Sequence, residues 1–120
     1  MYYFFDSYAI IEILRGNPAY AGYRETPIVT TLSNFGEVYY SLLKTYDEQT
    51  AATLLEKMKF YFIDLSEETV KEAMRLRYHH KKLKLSYIDC FGYVLAKNNN
   101  IPFLTGDQAF ASLENVAFVK

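Results

Sequence analysis

The chain has 120 residues, of which 51% are hydrophobic, and its formal net charge is −1. This length suits one compact domain spanning residues 1–120, because it allows a real core but is too short for two ordinary domains. No apolar stretch approaches the roughly 20 residues that a membrane span needs, and the first residues, which reach Asp6 without a basic region, do not form a secretory signal. Cys90 is the single cysteine, which excludes an internal disulfide. We therefore expect a cytoplasmic protein.

Short apolar segments alternate with helical patterns along the whole chain. In chain order, the patterns predict a strand over residues 2–5, a helix over 7–15, a short helical piece over 19–24, a strand over 28–30, a helix over 32–46 and its continuation over 48–58. They then predict a strand over 60–65, helices over 66–80 and 86–98, a strand over 101–105, a short helix over 107–112 and a last strand over 116–119. This alternation predicts an α/β protein, specifically a three-layer α/β/α sandwich around a mainly parallel sheet.

The helix predicted over 32–46 carries the clearest apolar stripe in the sequence. Its members are Leu32, Phe35, Tyr39, Leu42, Leu43 and Tyr46. Their helical spacing predicts that this stripe faces the core. Glu37 lies on the other side of the same helix.

Four acidic residues stand where one predicted element gives way to the next: Asp6, Glu37, Asp89 and Asp107. Carboxylates at the strand ends of an α/β sheet point towards one crevice, and like charges gather at a cost unless a cation lies between them. The pattern therefore predicts a site for Mg²⁺ or Mn²⁺, with some acids binding the ion directly and others through water. Such ions promote hydrolysis of phosphodiesters.

Each of these carboxylates also has a structural explanation. Asp6 and Asp107 are candidate N-caps of the helices that follow them. Asp89 is a candidate partner of Ser86 in a capping box, and Glu37 suits the polar side of any helix.

Two hydroxyl side chains adjoin the acids. Thr105 precedes Asp107 by two residues, and Ser7 follows Asp6. Either hydroxyl could orient a water molecule or a phosphate oxygen. The alternatives are an ordinary threonine at a strand end and a serine that caps a helix.

Four segments carry a resemblance to a known family: Phe4–Ile11, Thr31–Glu37, Leu85–Phe91 and Pro102–Phe110. In this order they resemble the four motifs of PIN-domain ribonucleases, although Cys90 and Phe91 replace the smaller residues that are common in the third motif. The resemblance implies a Mg²⁺- or Mn²⁺-dependent endoribonuclease whose catalytic and metal-binding residues are Asp6, Glu37, Asp89 and Asp107.

Chain length makes the sequence look most like the VapC-type toxins of prokaryotic toxin–antitoxin pairs. That likeness implies a homodimer that cleaves RNA and is held inactive by a small antitoxin protein. Because PIN domains also act in RNA processing, a role outside a toxin pair is an open alternative.

A run of basic residues precedes Asp89. It comprises Arg75, Arg77, His79, His80, Lys81, Lys82 and Lys84. Because the overall charge supplies no attraction for nucleic acid, RNA binding requires a local patch of this kind, and we predict RNA contacts by Arg75, Arg77, Lys81 and Lys82. The alternative is a solvated helix end whose cations suit the negative end of the helix dipole.

Two further classes remain open from the sequence. A phospho-acceptor receiver also places acids at strand ends, and Asp64 would be its acceptor, but the paired acids expected after a receiver's first strand are missing. A module that binds a partner without catalysis is the other class.

Overall fold

A computed structural model of residues 1–120 contains a five-stranded sheet whose neighbouring strands are all parallel. The strands β1 to β5 are Tyr3–Phe5, Ile28–Thr30, Phe60–Phe62, Phe103–Thr105 and Val116–Phe118. They lie in the order β3-β2-β1-β4-β5. The α/β class predicted from the alternating patterns is confirmed.

Five α-helices connect the strands. The helices α1 to α5 are Ser7–Leu14, Leu32–Thr45, Glu48–Glu56, Glu67–His79 and Tyr87–Asn98. Shorter 3₁₀ helices cover Pro18–Tyr23, Lys81–Leu83 and Gln108–Phe110. The predicted continuation over 48–58 is a separate helix, since Asp47 caps α3 by accepting a hydrogen bond from the Thr50 N–H at 2.7 Å. No helix combines the length and apolar character needed to cross a membrane.

The sheet separates two hydrophobic cores, which makes the protein a three-layer sandwich. On one face, α1, α2 and α3 pack against Phe5 and Leu104. On the other face, α5 packs against Phe4 and Phe103, and α4 packs on α5. Successive residues of one strand point to opposite faces, so both Phe4 and Phe5 are fully buried.

The apolar stripe predicted for the helix over 32–46 is partly wrong. Leu32 is 66% exposed and Tyr46 is 44% exposed, because Leu32 begins α2 and Tyr46 lies just beyond its end. The face directed at the sheet instead carries Asn34, Val38 and Leu42, which are buried at a spacing of four residues.

The strand predicted over 60–65 is shorter and more exposed than expected. β3 ends at Phe62, and Tyr61 and Phe62 are both largely exposed. β3 lies at the edge of the sheet, so its residues have a neighbouring strand on one side only. The strand predicted over 2–5 is likewise buried only in its second half, since Tyr2 is exposed.

The order of the strands determines where a site can form. β1 pairs with β2 on one side and with β4 on the other, so the chain reverses its direction of winding next to β1. In open α/β sheets, ligands bind at such a switch point, outside the carboxyl ends of the strands. Asp6 follows β1, and Thr105 ends β4.

Candidate active site

Asp6 is a buried carboxylate at the carboxyl end of the central strand β1. Its side chain is only 3% exposed. It occupies the N-cap position of α1 but makes no capping hydrogen bond there. Instead, Asp6 Oδ2 accepts a hydrogen bond from Thr105 Oγ1 at 2.7 Å. The capping explanation therefore does not account for this aspartate.

Thr105 connects Asp6 with Asp107. Its Oγ1 atom donates to Asp6 and accepts a hydrogen bond from the Asp107 N–H at 3.1 Å. Asp107 caps the following 3₁₀ helix, since its Oδ1 accepts from the Ala109 N–H at 3.0 Å. Gly106, between them, has no room for a Cβ atom, which would overlap the carbonyl oxygen of Val119. The turn from β4 therefore requires glycine to bring Thr105 and Asp107 to their positions.

Glu37 is held at the end of a chain of hydrogen bonds that begins among buried residues. Thr31 Oγ1 donates to Asn34 Oδ1 at 2.6 Å, and Asn34 Nδ2 donates to Ser7 Oγ at 2.9 Å. Ser7 Oγ in turn donates to Glu37 Oε1 at 2.6 Å. The hydroxyl of Ser7 thus positions Glu37, while its predicted role towards water or phosphate stays a prediction.

Asn34 and Thr31 are residues that the sequence analysis missed. Asn34 is fully buried and Thr31 is 3% exposed. The sequence did contain one indication of this network. Asn34 shares a helix face with Val38 and Leu42, so an amide occupies a position where the helical pattern predicts an apolar residue.

Asp89 lies in the first turn of α5 and has a structural role as well. Its Oδ2 accepts a hydrogen bond from the Ser86 N–H at 2.9 Å, and Ser86 Oγ accepts from the Asp89 N–H at 3.0 Å. The capping box considered in the sequence analysis is therefore present. It fixes the carboxylate through one of its two oxygens.

The four acids, which we call the acidic cluster, influence one another electrostatically. Burial is the largest cause that raises the pKa of Asp6, the Thr105 hydrogen bond lowers it, and the charges of Asp89 and Glu37 also raise it, so that the pKa lies at about 7. Burial also raises the pKa of Asp89, and the charge of Asp107 adds to that effect. The Ser86 hydrogen bonds oppose it.

No basic side chain neutralises the acidic cluster. The salt bridges of the protein join Arg15 to Glu12, Lys71 to Glu67 and Glu68, and Lys97 to Glu114. None of them involves a member of the cluster. A buried carboxylate without a cationic partner is costly, so the site is suited to an added cation.

The donor atoms of the cluster fit a hard divalent cation. They are all oxygens, which Mg²⁺ and Mn²⁺ prefer. No three acidic, histidine or cysteine side chains lie close enough together to hold an ion by themselves. The acids therefore do not form a closed set of protein ligands around an ion. Mg²⁺ commonly keeps several waters and binds through one or two carboxylates, so an open site of this kind fits that ion.

The structure distributes the four basic residues for which RNA contacts were predicted over three cavities, and Lys81 lines two of them. Arg77 and Lys81 line one cavity of about 270 Å³ together with His80 and Lys84. Arg75 faces a different cavity, which contains Glu72, and Lys82 faces a third, which it shares with Lys81, His79 and His80. The first and third cavities both bring several basic side chains together without an acid, but only the first contains an arginine.

The receiver alternative disagrees with the topology. Receivers of the flavodoxin-like type have the strand order 2-1-3-4-5, whereas this sheet has the order β3-β2-β1-β4-β5. Asp64 is exposed and follows the edge strand β3, two strands away from β1. It therefore lies outside the crevice that contains Asp6.

Comparisons with known proteins agree with this fold. A family model described as PIN domain matches residues 3–116. A search of curated proteins gives no match.

Three solved structures are similar in fold. A toxin–antitoxin complex from Klebsiella pneumoniae is 21% identical with a TM-score of 0.71, and the match covers 95% of this chain and 94% of that one. VapBC2 from Rickettsia felis, bound to a DNA fragment from its promoter, is 16% identical with a TM-score of 0.75 and coverages of 97% and 96%. PAE2754 from Pyrobaculum aerophilum is 17% identical with a TM-score of 0.72 and coverages of 97% and 89%.

Proposed function

This chain belongs to the PIN domain family, whose members are nucleases, and we propose that it is a Mg²⁺- or Mn²⁺-dependent endoribonuclease. The observation that carries the proposal is the buried carboxylate of Asp6, which has no cationic partner and lies at the switch point of the sheet. In this proposal, Asp6, Glu37, Asp89 and Asp107 are the catalytic and metal-binding residues.

The chain's own residues would prepare the site for hydrolysis. When bound, the divalent ion would acidify a water molecule and offset the charge that develops on the scissile phosphate. Thr105 holds Asp6 and the backbone of Asp107 in one arrangement. The hydrogen bond from Ser7 fixes Glu37, so that this carboxylate would hold an ion or its water without first having to reorganise.

RNA cleavage in the presence of Mg²⁺ or Mn²⁺ tests the proposal. We expect Asp6→Asn to lose activity by at least about 100-fold, since removal of a group that acts on the transition state costs several kcal/mol. Asp64→Asn is the matched control, because it makes the same change of charge at an exposed site outside the crevice. Excess EDTA should abolish cleavage by the wild type. Equal cleavage by wild type and Asp6→Asn, unaffected by chelator, would exclude the proposed mechanism.

We further propose that the protein is the toxin of a toxin–antitoxin pair. Two of the similar structures are a toxin–antitoxin complex and VapBC2. The proposal includes a small antitoxin partner, a homodimer, action in the cytoplasm and a single nuclease domain over residues 1–120.

Expression in a bacterial host tests the toxin role. The wild type should arrest growth, and Asp6→Asn should not. Coexpression of a short reading frame adjacent to this gene should restore growth, and the two proteins should copurify. Light scattering of the purified chain gives its oligomeric state. Normal growth with a catalytically active wild type would favour RNA processing outside a toxin pair.

A further inference from the structure

The basic cavity lies between the end of α4 and the start of α5. It is lined by Arg77, His80, Lys81, Lys84 and Leu85. Its four basic side chains belong to exposed residues, and none of them takes part in a salt bridge. A concave surface with several unpaired cations and no acid attracts anions, and phosphate groups in particular.

The fold holds the guanidinium of Arg77 in place. Its Nε atom donates a hydrogen bond to the carbonyl oxygen of buried Leu85 at 2.9 Å. The guanidinium also lies over the ring of Tyr87, with its carbon 4.8 Å from the ring centroid. Arginine has five N–H donors, and the Leu85 bond uses only one of them. The remaining donors are therefore available to a phosphate, on a side chain that has already lost much of its freedom.

Tyr87 presents an aromatic surface beside these cations. Its side chain is 57% exposed although it begins α5, and the Arg77 contact fixes its position. Exposed aromatic rings next to cationic grooves stack on the bases of single-stranded nucleic acids. The combination of a ring and a cation suits RNA better than it suits an acidic protein segment, which has no planar base to stack.

The basic cavity also adjoins the acidic cluster. Ser86 separates Leu85 from Tyr87, and its capping box holds Asp89. Tyr87 and Asp89 lie on different sides of the first turn of α5, since residues two apart do not share a helix face. An α-helix with its side chains is about 10–12 Å across, so a strand of RNA that reaches from Asp89 to Tyr87 passes around the end of this helix.

We propose that the basic cavity binds a backbone phosphate of single-stranded RNA through Arg77, and that Tyr87 stacks on an adjacent base. The inference rests on the proposed function, because it identifies where the substrate lies beside the nuclease site. It makes Arg77 and Tyr87 substrate-binding residues and gives Lys81 and Lys84 a supporting electrostatic role. It assigns no such role to Arg75 or Lys82, neither of which lines the basic cavity.

Fluorescence anisotropy with a short labelled single-stranded oligoribonucleotide tests the inference. The measurement is made in EDTA, so that no cleavage occurs and binding is read separately from catalysis. We expect Tyr87→Ala to weaken binding by about 5- to 100-fold, the range found for loss of one stacked base. Tyr87→Phe should bind as the wild type does. Arg77→Gln should weaken binding and reduce the slope of log affinity against log salt by about one.

The chain offers a matched control on another helix. Tyr40 is 65% exposed, and the Lys44 ammonium lies over its ring at 4.9 Å, so Tyr40→Ala and Lys44→Gln remove a similar pair away from the basic cavity. Both should leave RNA affinity within about twofold of the wild type, as expected for distant sites. Lys84→Gln provides a second test within the cavity should an Arg77 or Tyr87 variant fail to fold, and it should also weaken binding.

Equal effects of the Tyr87 and Tyr40 substitutions, or an unchanged salt slope in Arg77→Gln, would overturn the inference. So would a polyglutamate competitor that displaces RNA as well as unlabelled RNA does, since that result indicates attraction of any polyanion. The proposed function fails differently. If the cavity binds RNA through Arg77 and Tyr87 but the wild type cleaves no RNA, the proposed binding site is supported and the proposed nuclease activity is refuted.

Discussion

Replacing Asp6 by asparagine should make the metal-free protein more stable while it removes activity. Asp6 is 3% exposed, and burial raises the pKa of its carboxyl group from 3.8 to about 7. One pKa unit corresponds to about 1.4 kcal/mol, so ionisation of Asp6 costs the folded state about 4 kcal/mol relative to the unfolded chain. Asparagine is similar in shape and can still accept the hydrogen bond from Thr105, but it carries no charge.

The sign of the effect depends on pH. Well below the ordinary pKa of 3.8 the carboxyl group is protonated in both states, and no cost arises. As the pH rises from about 4 to about 7, the unfolded chain loses this proton while the folded protein retains it, so the wild type is progressively destabilised. Above about pH 7 both states are ionised, and the cost stays constant. The Asp6→Asn variant should lack this contribution.

Urea denaturation in EDTA at several pH values measures the difference. At pH 8 we expect Asp6→Asn to have a free energy of unfolding about 2–3 kcal/mol higher than that of the wild type, because the buried amide carries a smaller cost of its own. Near pH 4 the two proteins should be similar. Asp64→Asn changes the same charge at an exposed position and should differ from the wild type by less than about 0.5 kcal/mol at both pH values.

Divalent metal should reverse the order of stability. An ion that binds only the folded state adds about 4.1 kcal/mol at a concentration 1,000 times its Kd, which exceeds the advantage expected for Asp6→Asn in EDTA. The wild type should gain more than Asp6→Asn because it keeps the buried carboxylate. An Asp6→Asn variant no more stable than the wild type in EDTA at pH 8 would refute the reasoning. That result would mean that the Asp6 charge is compensated within the fold.

Three other residues give further predictions. Asn34→Ala should lower the free energy of unfolding by about 1–3 kcal/mol in urea denaturation, because it leaves the buried hydroxyl of Ser7 with one hydrogen bond fewer, and it should also weaken Mn²⁺ binding in calorimetry. Gly106→Ala should lower the melting temperature by several degrees, since a Cβ atom would overlap the Val119 carbonyl oxygen; an unchanged melting temperature would show that this turn relaxes freely. Burial raises the pKa of the Cys90 thiol to about 11, so iodoacetamide should alkylate Cys90 slowly at pH 8 until urea unfolds the protein, and fast alkylation of the folded protein would contradict the burial.

The class of the fold was predictable from the sequence because a parallel sheet produces a recognisable pattern of apolar strands and intervening helices. Strands covered on both faces are continuously apolar, as Phe4 and Phe5 are, and each must be followed by a helix that returns the chain. The order of the strands in the sheet produces no such pattern in the sequence. Edge strand β3 is as aromatic as central strand β1 in the sequence, but Tyr61 and Phe62 are largely exposed.

The site was predictable only in part, because its hydrogen bonds join residues that are remote in the chain. The sequence places Asp6, Asp89 and Asp107 at or near element ends, whereas Glu37 lies within α2. The connections within the site could not be predicted, since Thr105 reaches Asp6 across 99 positions and Asn34 reaches Ser7 across 27. The basic run likewise predicted Arg77 and Lys81 together with Arg75 and Lys82, and only the course of the chain after α4 shows which of these cations share a cavity.

Asp89 and Asp107 show that a structural explanation and a functional one need not compete. Each uses one oxygen to satisfy a backbone N–H at the start of a helix, Oδ2 in Asp89 and Oδ1 in Asp107. That bond fixes the direction of the second oxygen and reduces the entropy that a bound ion would otherwise have to remove. In the proposed site, the cap would therefore hold the carboxylate ready for the ion. A glutamate cap partner at position 89 would test this argument: Asp89→Glu should retain much of the helix stability, since glutamate also serves in capping boxes, but should lose metal affinity because its longer side chain displaces the remaining oxygen.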